Sequence, residues 1–205
     1  MDSSPNSLVL ELATPGDVPA LTEVWFAAFT QPVIGQLFPN TPGMHQWQRD
    51  RHYGDIQKPH YRYLRVVDTE SKDEHGRPRL VAFGKWDLAM PDERGRRFPS
   101  WHADSPYQEC EDCIASLEQA RKRVMGDEKH YYSIGTHPDY QRRGAGSMLV
   151  QWGCDLADKD GVAAYVDASK EGASLYLKHG FVDFNPPGSS VAAMARRKGA
   201  SRDNV

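Results

Sequence analysis

The sequence predicts an α/β fold with about seven strands, and three observations carry that reading. First, its segments run in the order β-α-α-β-β-α-β-α-β-α-β-β when hydrophobic spacing and turn residues are followed along the chain. Second, the stretch from Lys129 to Asp158 reads as a strand, a loop rich in cations and glycine, and an amphipathic helix. Third, 205 residues, 39% of them hydrophobic, suit one domain with a core of its own. No internal repeat or linker interrupts the chain. One domain over 1–205 is therefore expected, with its core over about 7–197 and a polar, disordered tail at 198–205.

Ser7 to Leu12 alternates weakly and reads as the first strand. Thr14, Pro15 and Asp17 then form a helix start: a cap, a proline at the first helical position and a capping-box acid. Val18, Leu21, Val24, Trp25 and Ala28 make that helix's buried face. Prolines at 32, 39 and 42 and Gly35 predict an irregular segment over 30–42, although Val33, Ile34, Leu37 and Phe38 must still cover something. A second helix is expected over 43–56. Tyr61–Thr69 and Arg79–Met90 read as two long strands joined by a charged turn, and Gly84 marks a bulge or a close approach. The stretch 91–106 is irregular. Its charge run, Asp92 to Arg97, is what a solvated loop shows, and its length also fits a lid.

Tyr107 to Met125 has a helical seam at Cys110, Cys113, Leu117, Ala120 and Val124, with acids at its start and bases at its end, as the helix dipole favours. After the glycine loop and its helix come a short buried strand over 162–168 and a helix from about 171 to His179, closed by Gly180. Two last strands are expected, over 181–184 and 190–196.

Composition excludes several classes. A net charge of -3 does not favour non-specific nucleic-acid binding. No run of about 18 apolar residues exists to span a membrane, and MDSSPNS lacks the basic and apolar regions of a signal peptide. Three cysteines make no disulfide framework, and Cys110-x-x-Cys113 has no second ligand pair, so no metal is expected. A cytoplasmic location is the expectation that follows.

The central stretch carries the chemistry. Tyr131, Tyr132, Ile134 and Thr136 suit a strand, which Pro138 ends. Ala145, Leu149, Trp152 and Leu156 give the following helix one apolar stripe. Between them, Gly144 and Gly146 let the backbone turn tightly and approach a ligand closely. The unpaired N–H groups of the helix's first turn favour an anion, and Arg142 and Arg143 stand beside them. A phosphate or pyrophosphate is the natural guest. A dinucleotide fingerprint would need a third glycine where Leu149 stands, and a Walker A loop would need Gly-Lys-Ser/Thr, which is missing.

Gln141-Arg142-Arg143-Gly144-Ala145-Gly146, led in by Thr136-His137-Pro138-Asp139-Tyr140, resembles motif A of the GCN5-related N-acetyltransferases. Gly172 to Phe181, with Tyr176 shortly before Gly180-Phe181, resembles the family's motif B. The likeness is nearest to the puromycin-acetyltransferase-like group. It implies a mixed, mostly antiparallel sheet splayed at a V-shaped cleft, with helices on both faces. It also implies acetyl-CoA as the donor. By this resemblance Ile134, Gly135 and Thr136 bind the pantetheine arm through their main chain. Gln141, Arg142, Arg143, Gly144, Ala145, Gly146 and Ser147 hold the pyrophosphate, and Ser169 lies near the pantetheine.

Tyr176 aligns with the tyrosine that serves as general acid to the leaving sulfur. A phenol of ordinary pKa near 10 is protonated at neutral pH and suits that task. The base is open. His130 shares a strand face with Tyr132, Ile134 and Thr136 and titrates in the right range, while His52, His102, Glu109 or a chain of waters are alternatives. In the family the segment after the first helix lines the acceptor site, so Phe29 and Trp47, with Tyr132, are candidate substrate contacts. The function expected is transfer of acetyl from acetyl-CoA to a small primary amine by direct attack in a ternary complex, by a monomer or homodimer. A peptide or protein N-acetyltransferase, or a non-catalytic acyl-CoA sensor, are the alternatives.

Overall fold

A computed structural model describes residues 7–132 and 143–200 of the chain. Among the described residues seven strands form one sheet: β1 (Leu8–Leu12), β2 (Tyr61–Lys72), β3 (Pro78–Asp87), β4 (His130–Tyr132), β5 (Ala163–Ser169), β6 (Val182–Asp183) and β7 (Val191–Arg196). Their order is β1-β2-β3-β4-β5-β7-β6, and among the described residues only the β4–β5 pairing is parallel. The expected fold class is thus what the chain adopts. The splay expected between β4 and β5 falls on 133–142, outside the described residues.

Six helices cover the sheet: α1 (Val18–Ala28), α2 (Pro32–Leu37), α3 (Pro42–Ile56), α4 (Tyr107–Met125), α5 (Ala145–Asp160) and α6 (Lys170–Leu177). They divide between its two faces. Leu149, Val150 and Cys154 of α5 and Tyr176 of α6 pack with Leu64, Val66, Ala82, Trp86, Tyr131 and Val166. On the other face, residues of α1, α2, α3 and α4 pack on Tyr63 and Phe83, and α4 also covers Tyr132, Tyr165, Ala193 and Ala195. Alternate residues of β2, β5 and β7 serve opposite faces, as the pleat requires, while a register shift in β3 puts both Val81 and Ala82 into one core.

The segment 30–42 differs from its expected irregularity. Pro32 sits in the first turn of a six-residue helix, where its missing N–H costs nothing, and Phe38 ends it. The helix after it starts at Pro42 with the Thr41 hydroxyl accepting from the Met44 N–H at 3.2 Å. At the chain's start, Asp17 accepts from the Thr14 N–H at 2.7 Å, as the capping pattern predicts. However, Pro15–Asp17 is a 3-10 turn, and α1 proper begins at Val18. Gly84 is a close approach: a Cβ there would lie 3.3 Å from Leu149. Gly153 of α5 is closer still, since an added Cβ would fall 1.9 Å from the Trp86 ring. That glycine lets α5 lie on β3, with the Trp86 indole N–H donating to the Leu149 carbonyl at 3.3 Å. Among the described residues no helix is long and apolar enough to cross a membrane.

Candidate functional site

Two sets of side chains flank β4, one on each face of the sheet. On the α5–α6 face, Gly144 caps α5 with φ 98°, a left-handed conformation that favours glycine, and open space lies where its Cβ would be. Ala145 is buried in the core and fixes the helix start. The first-turn N–H groups after Gly144 are those an anion would take. Arg143 donates to Asp68 of β2 at 3.1 Å, which ties the loop to the sheet. Ser147 is hydrogen-bonded to His179 Nε2 at 2.8 Å, and His179 Nδ1 to Gln151 Oε1 at 3.2 Å. Glutamine Oε1 can only accept, so Nδ1 carries the proton and Nε2 accepts from the Ser147 hydroxyl. The link joins the start of α5 to the end of α6.

Tyr176 of α6 is buried edge-on against Phe181, 5.4 Å between ring centroids. Burial pushes its phenol up to about 12. Ser169 accepts from the Gly172 N–H at 3.2 Å, so its oxygen caps α6. Ile134, Gly135, Thr136, Gln141 and Arg142 lie outside the described residues.

His130 is placed where it cannot act as expected of a base. It is 1% exposed. Its Nδ1 donates to the Glu128 carbonyl at 2.6 Å, and its Nε2 accepts from Arg94 at 2.7 Å. Both nitrogens are committed, and burial, with Arg94 beside it, lowers its pKa to about 4. The lone pair an amine proton would need is already taken by a guanidinium. Among the alternatives, His52 is buried too, and burial, then Arg51, drive its pKa down to about 3.

Tyr132 points to the α3–α4 face. Its hydroxyl accepts from Arg97 and donates to Asp167 at 2.8 Å, and Asp167 also accepts from Tyr165 at 2.7 Å. There it lines a cavity of about 40 Å³ with Arg51, Tyr61, Lys85, Asp87, Arg94 and Arg97, closed by Glu118 and Arg121 of α4. Phe29 packs on Trp25, 5.2 Å away. Trp47 donates to the Ser100 carbonyl at 2.8 Å and stacks near Phe98. Neither lines this cavity. Instead, Phe98 carries the Arg51 guanidinium 4.1 Å from its ring centre, so Trp47 backs the wall indirectly.

Most of this wall was not expected from the sequence. The run from Asp92 to Arg97 is solvated only in part: Asp92, Glu93, Gly95 and Arg96 are exposed. Arg94 and Arg97 turn inward, to His130 and to Tyr132 and Asp167, and Phe98 is buried behind them. Lys85 is buried on the face it shares with Phe83. Its Nζ lies 2.6 Å from Asp55 and 3.7 Å over the Tyr61 ring. Burial, then Arg51, lowers its pKa to about 7. Burial would raise the pKa of Asp55, but Lys85 and Lys58 outweigh it and hold the carboxyl below its usual range. Two signals did mark these residues: Arg51 and Asp55 are four apart on one helix face, and Lys85 stands two after Phe83 in a strand.

Residues 108–183 match the family model described as an acetyltransferase (GNAT) domain. Over 184 residues the chain is 26% identical to a protein described as "Acetyltransferase" from Stachybotrys chartarum, covering 84% of this chain and 79% of that protein. Among solved structures it superposes on mosquito arylalkylamine N-acetyltransferase like 5b with a TM-score of 0.62 at 14% identity, covering 93% and 100% of the two chains. PaiA N-acetyltransferase from Thermoplasma acidophilum, in complex with coenzyme A, gives 0.57 at 13% identity, covering 93% and 99%. A histone acetyltransferase HPA2 and related acetyltransferase from Corynebacterium glutamicum gives 0.57 at 19% identity, covering 95% and 98%.

Proposed function

We propose that the chain, whose residues 108–183 match an acetyltransferase (GNAT) domain model, is an acetyl-CoA-dependent acyltransferase that acetylates the primary amine of a small molecule by direct attack in a ternary complex. The observation that carries the small acceptor is the cavity beside Tyr132. It is a small space of about 40 Å³ under a loop whose Arg94, Arg97 and Phe98 are held inward.

When bound, acetyl-CoA supplies an acetyl group already activated as a thioester. In this reading the N–H groups of Ala145, Gly146 and Ser147 hold its phosphates, helped by the left-handed Gly144 and the open space over it. The segment Ile134–Thr136 keeps the pantetheine role implied by the resemblance. Tyr176 holds its proton at any physiological pH. With its pKa near 12, handing that proton to a thiolate of ordinary pKa near 8.5 would be uphill by roughly 5 kcal/mol. Tyr176 therefore donates a hydrogen bond to the developing thiolate rather than giving up the proton outright. The amine's proton leaves to water, because the imidazole of His130 has no free lone pair.

Thiol release from acetyl-CoA, followed across a panel of amines and N-terminal peptides, tests the reading. Turnover of small amines without peptides is the expected result, and turnover of peptides alone would reverse it. Tyr176→Phe should lower kcat about tenfold with acetyl-CoA affinity unchanged. An unaltered kcat would remove Tyr176 from the reaction.

A further inference from the structure

Resting on that placement of the acceptor side, we propose that the cavity walled by Arg51 and Lys85 is an anion subsite, and that the acceptor is a primary amine that also carries a carboxylate. The first ground is the buried face of α3. Its buried residues are Met44, Gln48, His52 and Asp55, and Arg51 lies among them with its side chain 7% exposed. A helix packed only for stability would put apolar side chains there; a buried polar face is the informative departure.

The second ground is charge. Asp55 is the one carboxylate against three cations: Lys85 at 2.6 Å, Lys58 at 2.8 Å and Arg51 at 3.8 Å. The other cations around the cavity have acids of their own: Arg94 faces Asp87 at 3.5 Å, Arg97 faces Asp167 at 3.2 Å, and Arg121 pairs with Glu118. The positive excess is therefore centred on Arg51; Lys85, its pKa lowered to about 7 by burial and Arg51 and with Asp87 acting on it too, adds part of a charge at neutral pH. Buried charge that exists only to hold a fold together is matched within its own cluster, since an unmatched buried charge is costly.

The third ground is unused hydrogen-bonding capacity. Arg51 Nε and Gln48 Nε2 are buried and have no hydrogen-bond partner among the described residues. Arg51 lies 3.8 Å from Asp55 at that nitrogen, too far for a hydrogen bond. Arg51 Nη1 donates to Gln48 at 3.2 Å, and an unpartnered guanidinium N–H on the residue that lines the cavity suits a carboxylate oxygen.

Size narrows the class. A space of about 40 Å³ accepts a carboxylate and not a whole substrate. The rest of the acceptor extends past Tyr61 and Tyr132. A bulkier phosphoryl group fits less well. A polyamine meets five cations on the wall and is disfavoured by like charge.

Matched amines that differ only in the carboxylate decide the matter: phenylalanine against phenethylamine, 4-aminobutyrate against propylamine, with spermidine and 2-aminoethylphosphonate alongside. In the intact chain with acetyl-CoA, the carboxylated member of at least one pair should show kcat/KM at least about tenfold above its partner. Arg51→Gln, or Lys85→Met should that variant fail to fold, should bring the pair within about twofold by raising KM for the carboxylated member. Equal or better use of the decarboxylated amines or of spermidine by the unaltered chain overturns the proposal. A phosphonate used better than its carboxylate overturns the carboxylate assignment. If no amine is turned over, the acetyl-transfer reading fails, and calorimetry on the CoA-loaded chain decides the subsite by itself. Binding of 4-aminobutyrate or phenylalanine but not of its decarboxylated partner upholds it; no difference sinks it.

Discussion

The two faces of the sheet are built on different principles. The α5–α6 face is organised by short-range sequence: a glycine that takes φ 98°, a helix start directly after it, and an apolar stripe that seats α5 on Trp86. The α3–α4 face is organised by long-range charge. Arg51, Asp55, Lys85, Arg94, Arg97 and Asp167 come from α3, β3, the 91–106 loop and β5, and converge around Tyr132. The first arrangement can hold a phosphate through main-chain N–H groups whatever the side chains are. The second depends on each side chain, which suits a surface that selects one acceptor. With the donor on the first face and the acceptor on the second, as proposed, a shared donor and a particular acceptor call for those two kinds of construction.

Substituting one face at a time should separate them. The largest effect is expected from Gly153→Ala, whose Cβ would sit 1.9 Å from the Trp86 ring. The helix must shift or the ring must leave its rotamer, at a cost of about 3 kcal/mol or more. A melting temperature within a degree or two of the unaltered chain would show that α5 is not seated as described.

Acid should act through the other face. His52 and His130 are buried neutral, with pKa values lowered to about 3 and about 4, chiefly by burial. An unfolded histidine titrates near 6.5, so between 6.5 and those values the unfolded chain binds more protons than the folded one. Stability is complete above pH 6.5 and falls as pH drops through that window, by on the order of 5 kcal/mol for the two together by pH 4.5. Urea unfolding at pH 7.5 and 4.5 measures it. Equal stabilities would mean that the two imidazoles are not held as the structure has them.

Next, Gly144→Val and Gly146→Val should weaken acetyl-CoA binding about a hundredfold, while Arg51→Gln should leave that affinity near its starting value. If the cavity variant weakens acetyl-CoA as much as the glycine variants do, the division between the faces fails. The smallest effect is a gain. Gly54 on α3 is exposed, with no atom within 4 Å of an added Cβ. Gly54→Ala should stabilise the chain by about half a kcal/mol, opposite in sign to Gly153→Ala.

Much of the fold was legible because it rests on local rules. Strand composition, the capping residues at Thr14 and Asp17, and Gly180, which takes positive φ, each act within a few residues. The short helix at Pro32–Leu37 was read as irregular, because prolines that break a long helix also start a short one. The left-handed turn at Gly144 was legible for the same local reason. His130 shows the limit. Strand parity placed it correctly beside Tyr132, but Arg94, thirty-six residues earlier, takes its lone pair, and no spacing rule connects the two.

By itself, the sequence determined the order of elements, the turn at Gly144 and the anion-favouring start of α5. These follow from backbone sterics and helix dipoles, which need no distant partner. Only the tertiary structure decided which charges face one another. Whether Arg97 is a solvated cation or a buried donor to Tyr132 and Asp167 depends on where the loop lies. Whether Lys85 carries a full charge depends on its burial, on Arg51 and on Asp55. Electrostatic roles are set by distance and burial in space, and for these residues both come from segments far apart in the chain.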